Sequence, residues 1–149
     1  MILYECKIRY ERQTGEDIPG QVNETYVIEG VSPTDVEKRL IDELHKYISG
    51  DSETTSIKKK KFADIFPNAE GGTWFNGKVE MITIEDDKEK RQAVNILIQS
   101  HNFSAAVRDL YQNLAGLDCE IVSVTRTPII EVWRAVVYNN TEPNPGTAE

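Results

Sequence analysis

Two stretches decide the fold: SPTDVEKRLIDELHKYISG, residues 32–50, and NFSAAVRDLYQNLAG, residues 102–116. In the first, Ser32 offers a hydroxyl to the open N–H groups of a helix start, and Pro33 at the first helical position loses no needed donor. Asp35 sets a negative charge in the first turn, at the positive end of the helix dipole. Val36, Leu40, Leu44 and Ile48 then recur every four residues, Ile41 and Tyr47 widen the stripe, and Gly50 suits a left-handed stop. In the second stretch Asn102 is the cap, Phe103, Ala106, Val107, Leu110, Tyr111 and Leu114 form the stripe, and Gly116 ends it. Each stretch is predicted to be an amphipathic helix with one face to bury.

Outward from the helices the period changes from four to two. Tyr4, Cys6, Ile8 and Tyr10 alternate with Glu5, Lys7 and Arg9, as in a half-buried strand. Residues 11–21, with Gly15, Pro19 and Gly20, read as a hairpin loop, and Val22 to Glu29 returns with Tyr26 and Ile28 inward. Thr54 to Lys61 is strand-like, Phe62, Ile65 and Phe66 add apolar content, and Pro67 to Gly72 is a linker. The second half starts at Trp74, with Phe75, Gly77, Val79 and Met81 on one face, a charged hairpin turn over Glu85 to Lys90, and Val94, Ile96 and Ile98 on the returning strand. After the second helix, Glu120 to Thr127 is a strand, Pro128 bends the chain, and Ile129 to Tyr138 is extended. Residues 139–149 are expected to be a disordered tail.

Both halves therefore follow one plan. Val27-Ile28 corresponds to Leu97-Ile98, Ser32 to Asn102, Leu40 to Leu110 and Leu44 to Leu114, all 70 residues apart. Ser56-Ile57 corresponds to Ser123-Val124, and residues 62–66 correspond to 129–133, 67 residues apart. Tyr4-Glu5-Cys6-Lys7-Ile8 resembles Phe75-Asn76-Gly77-Lys78-Val79. The expected fold is α+β: internally duplicated ββαβ units with mainly antiparallel sheet, two helices and pseudo-twofold symmetry. The expected organisation is one domain over 1–138, built of repeats 3–66 and 74–138 that share a core. Any two ββαβ stretches share such a hydrophobic pattern, and that alternative stays open.

Composition bounds the function. With 17 Lys plus Arg against 25 Asp plus Glu, the formal charge is −8, which argues against a protein that coats DNA. An apolar share of 39% suffices for a core. No apolar run of the ~18 residues that a membrane helix needs is present, and the start has no secretion signal, so membrane partners are not expected and a cytoplasmic location is. Cys6 and Cys119 read as small buried hydrophobes, and His45 and His101 have no second ligand at metal spacing, so no metal or other cofactor is expected.

Candidate contact residues are charged or aromatic. Lys58, Lys59, Lys60 and Lys61, together with Lys7, Arg9, Lys78 and Arg126, could meet phosphates, and Trp74, Phe75 and Trp133 could stack on unpaired bases. Against that, alternation sends consecutive lysines to opposite faces, and lysines on an edge strand also discourage aggregation. Lys7 recurs as Lys78 and Asp64 as Glu131, so an equivalent ion pair, Lys7 with Asp64 and Lys78 with Glu131, is expected in each half. Gly71-Gly72 reads as a turn and Ser100-His101-Asn102 as a strand exit with a helix cap. The apolar closing segment from Ile129 to Tyr138 suits a closing strand, a neighbouring strand or a second subunit, a homodimer being one form of self-association.

Four pieces together, Tyr4-Glu5-Cys6-Lys7-Ile8-Arg9-Tyr10, Ile48-Ser49-Gly50, Trp74-Phe75 with Lys78-Val79, and Thr127-Pro128-Ile129 with Val132, resemble the bacterial domain-of-unknown-function family numbered 4494 over roughly residues 3–133. The resemblance implies a compact cytoplasmic bacterial domain and brings no catalytic residue with it. The reading is a non-enzymatic cytoplasmic binding or assembly module with a protein partner or a second copy. The alternative is a single-stranded nucleic-acid-binding protein that uses a basic and aromatic sheet face. A small enzyme with a cleft between the repeats comes third.

Overall fold

Strand alternation and the two helix stripes resolve into two helix-on-sheet units. The computed structural model describes residues 2–12, 20–46, 48 and 50–134. Along the described chain run β1 (Ile2–Arg12), β2 (Gly20–Gly30), α1 (Pro33–Leu44), β3 (Ser52–Lys60), β4 (Asp64–Phe66), β5 (Thr73–Glu85), β6 (Lys88–Ser100), α2 (Phe103–Asn113), β7 (Cys119–Arg126) and β8 (Ile129–Trp133). The fold is α+β, with two four-stranded, mainly antiparallel sheets ordered β3-β1-β2-β8 and β4-β6-β5-β7. Among the described residues, one unit comprises those up to residue 60 together with 130–134, the other residues 61–129.

In the first unit, β1 and β2 form a hairpin in which Cys6 faces Tyr26 and Tyr4 faces Ile28. Tyr4, Cys6, Ile8, Tyr26 and Ile28 bury one face of it under Val36, Leu40 and Leu44 of α1. The helix is held at its start as the sequence predicts: the Asp35 N–H donates to Ser32 Oγ at 3.1 Å, and the Val31 N–H donates to Asp35 Oδ2 at 3.1 Å. Its second turn comes so close to β2 that a Cβ on Gly30 would collide with Val36 Cγ1.

The second unit repeats this arrangement. Phe75, Val79, Ile96 and Ile98 of the β5–β6 hairpin lie under Ala106, Leu110 and Leu114 of α2. The Ala105 N–H donates to Asn102 Oδ1 at 2.8 Å. A Cβ on Gly77 would stand 2.6 Å from Leu110 Cδ2, so a side chain there would push the leucine from its seat. Both outer pairings carry a bulge after the matching lysine. Lys7 faces Ser56 and Ile8 faces Thr54, which leaves Thr55 over, and Lys78 faces Ser123 and Val79 faces Ile121, which leaves Val122 over. Bulged outer strands with exposed lysines, as in β3, are poor templates for another chain.

Several expectations change. Helix α1 ends at Leu44, well short of Gly50, which nevertheless has φ +112°. The buried stripe is narrower than the apolar pattern: Ile41 is 40% exposed and Tyr111 61%, because these positions sit a third of a turn from the line of Leu40 and Leu110. Tyr47 and residues 13–19 and 135–149, which include the expected tail, lie outside the described residues. The turn expected over 85–90 is only Asp86-Asp87, at φ 52° and 62°, because two left-handed residues match the twist of a hairpin and the flanking charges belong to strand ends. Cys119 is half-buried instead of buried.

The units also cut across repeats 3–66 and 74–138. β4 runs parallel to β6 in the second unit, whereas β8 flanks β2 in the first. Lys7 and Asp64 thus fall in different units, as do Lys78 and Glu131. Asp64 Oδ1 accepts the Ile65 N–H at 2.9 Å.

Because Leu110 fills the space above Gly77, Leu110→Ala is expected to cost ~2–5 kcal/mol and Gly77→Ala ~1–3 kcal/mol in urea unfolding. The double variant is expected to cost less than the sum by at least ~0.5 kcal/mol, since the added methyl enters the vacated volume.

Candidate functional site

Helix α1 presents a polar row beside its buried one. Residues 39, 42, 43 and 46 follow the i, i+3, i+4, i+7 spacing of one helix face. Strand β8 provides the facing side. Between them lies an open groove of about 480 Å³ lined by Arg39, Asp42, Glu43 and Trp133. Trp133 is held in place: its ring lies on Tyr26 with centroids 5.0 Å apart at 35°, and its Nε1–H donates to Glu131 Oε2 at 3.0 Å. Tyr26 is anchored in turn, its hydroxyl donating to Glu24 Oε1 at 2.8 Å, where the Tyr10 hydroxyl also donates at 2.9 Å. Arg39 donates to the Glu29 carbonyl, and Arg134 Nε stands 3.9 Å from Glu29 Oε1. The groove thus combines an oriented indole, a tethered guanidinium and two exposed carboxylates.

The other unit has a groove beside its own helix. About 300 Å³ in volume, it lies between α2 and β4 and is lined in part by Phe66, Gln99, Asp109 and Asn113. The 70- and 67-residue offsets expected from the sequence pair Asp109 with Arg39, Asn113 with Glu43, and Phe66 with Trp133. Its carboxylate is already engaged, since Asp109 Oδ2 accepts from the fully buried Ser100 hydroxyl at 3.0 Å and Oδ1 pairs with Arg108 at 3.2 Å.

The residues singled out in the sequence are dispersed. Register puts Lys7, Arg9, Lys58 and Lys60 on the face of their sheet away from α1, with Lys58 opposite Glu5 and Lys60 opposite Leu3. Arg9 is ion-paired with Glu53. Lys59 lies opposite Tyr4, on the helix side. Lys61 belongs to the second unit, where Lys78 and Arg126 occupy opposite faces of the sheet. Trp74 is 4% exposed, which leaves no ring face open to a base. Of the set, only Trp133 lines a groove described above. Arg39, Asp42 and Glu43 escaped notice because charged helix positions beside a buried stripe look like any solvated face. Their signal was the appearance of different residue types at the corresponding positions of α2.

A family model described as a domain of unknown function, DUF4494, matches residues 2–135. No curated protein matches the chain.

Titratable groups mark out rigid ground more than reactive ground. Burial, followed by the charges of Glu37 and Glu5, pushes the Cys6 thiol up to about 11, so it is no nucleophile near neutrality. Burial and the Glu24 hydrogen bond push the Tyr26 phenol up as well. Arg91, bonded to Glu89, Glu120 and Glu80, is held more firmly protonated. Among the described residues no group of three His, Cys, Asp or Glu could hold a metal ion. The unfolded Cys6 thiol ionises from its ordinary 9.0 while the folded one retains its proton to about 11. The contribution is therefore complete below the lower value and shrinks between the two. Urea unfolding is expected to show stability falling above about pH 9 by up to ~1.4 kcal/mol per pH unit, with a shallower slope in Cys6→Ala. DTNB is expected to modify Cys119 in the native chain and Cys6 only after unfolding.

Proposed function

The chain belongs to DUF4494, a domain-of-unknown-function family, and on that footing we propose that it is a non-enzymatic binding or assembly module whose partner sits in the α1–β8 groove. The observation that carries this reading is Trp133, a large aromatic group fixed on Tyr26 and Glu131 and turned to line an open groove. Ordering such a ring in advance lowers the entropy lost when a partner covers it, and tryptophan is enriched at the centres of binding surfaces. Two free thiols, one of them deeply buried, suit a cytoplasmic setting.

In this proposal the two units are copies of one ββαβ plan. The shared strand order, the caps at Ser32 and Asn102 and the bulges after Lys7 and Lys78 support this. Copies free to diverge can keep one groove as scaffold while the other acquires a ligand. Single-stranded nucleic acid suits the geometry less: Arg9 is neutralised by Glu53, Trp74 is covered, and Asp42 and Glu43 would repel phosphates at Trp133.

Trp133→Ala is expected to abolish capture of a protein partner from native cells while the chain stays folded by circular dichroism. A thymidine oligonucleotide of about 16 nucleotides is expected to give no gel shift that weakens between about 50 and about 200 mM salt. Equal capture by wild type and variant, or a salt-sensitive shift, would displace this reading.

A further inference from the structure

The two grooves differ most at their acids. On α1 the groove-side positions are Asp42 and Glu43, and the corresponding α2 positions are Gln112 and Asn113. Each substitution retains the planar head group, lengthened or shortened by a methylene, and exchanges a carboxylate for an amide. One groove is thus negative where its counterpart is neutral, and the single acid of the counterpart, Asp109, is already engaged by Ser100 and Arg108. The aromatic wall differs in the same direction. Trp133 stands where the other groove has Phe66, and the indole attracts cations more strongly than a phenyl ring does.

The groove acids are also available. Asp42 is exposed and makes no ion pair among the described residues. Glu43 meets Lys46 at 3.6 Å, but both side chains are more than half exposed, and such a pair is readily exchanged for another cation. Among the described residues lining the groove the one positive group, Arg39, is tied to the Glu29 carbonyl and does not need either acid.

We propose that the α1–β8 groove takes a lysine or arginine side chain from a basic segment of a partner protein, its charged head between Asp42 and Glu43 and its methylene stem on Trp133. This rests on the binding-module reading and adds the chemistry of the ligand. The net charge of −8 favours approach of the same class of partner from a distance.

The test uses the full chain and three flexible peptides of about ten glycine and serine residues, carrying two lysines, two glutamines or two glutamates. The readout is the Trp133 indole N–H signal in two-dimensional NMR, told apart from that of Trp74 by Trp133→Phe. The lysine peptide is expected to shift it saturably, and less so as salt rises. Asp42→Asn with Glu43→Gln, on an exposed helix face, is expected to weaken binding about fivefold to thirtyfold. Undiminished binding in that double variant overturns the proposal, as does equal binding of the glutamine peptide. A shift by the glutamine or glutamate peptide alone ends the choice of a cation and leaves the groove as a binding site. No shift by any of the three ends both.

Discussion

Each helix lies so close to its sheet that a side chain at one strand position would displace a side chain of the helix. Gly30 sits against Val36 in the first unit and Gly77 against Leu110 in the second. Such contact leaves the helix no freedom to roll, since turning it would press a leucine or valine into backbone. With the buried row fixed, the polar row beside it is fixed too, and so is the wall that α1 offers to β8. The wall that α1 offers to Trp133 therefore descends in part from the missing methyl group at Gly30.

Local chemistry was legible in the sequence and long-range pairing was not. Ser32 and Asn102 announced their helices, and Val36, Leu40, Ala106 and Leu110 named the buried rows, because these depend on neighbours within a turn or two. The alternation of Tyr4, Cys6, Ile8 and Tyr10 gave the face of β1 for the same reason. Alternation states which way a residue points and is silent about which strand lies alongside. Residues 129–133 read as extended and residues 62–66 as a short apolar segment, and neither reading tells which sheet takes them. The turn at Asp86-Asp87 was drawn too wide because a run of charges resembles a loop, although exposed strand ends are equally polar. At the groove, Trp133 stood out as a large aromatic in a short strand. Asp42 and Glu43 acquired meaning only when β8 supplied an opposite wall.

The sheets manage their open sides with different devices. β3 has a bulge at Thr55 and lysines at its far end, and β7 has a bulge at Val122. The strands on the other side, β4 and β8, are short, three and five residues. Short edges and distorted ones offer few consecutive unpaired groups, which steers recognition toward side chains and away from strand addition. The middle of β2 and of β6 is buried on both faces.

The route of the chain sets a timetable. Residues 61–129 form an unbroken unit, whereas the first unit needs a strand made 85 residues after its hairpin and helix, at Ile129 as against Leu44. As the polypeptide leaves the ribosome, the later-encoded unit has all its parts while the earlier one still waits for β8. Trp133 travels on that last strand, so a nascent or prematurely terminated product has no groove to offer.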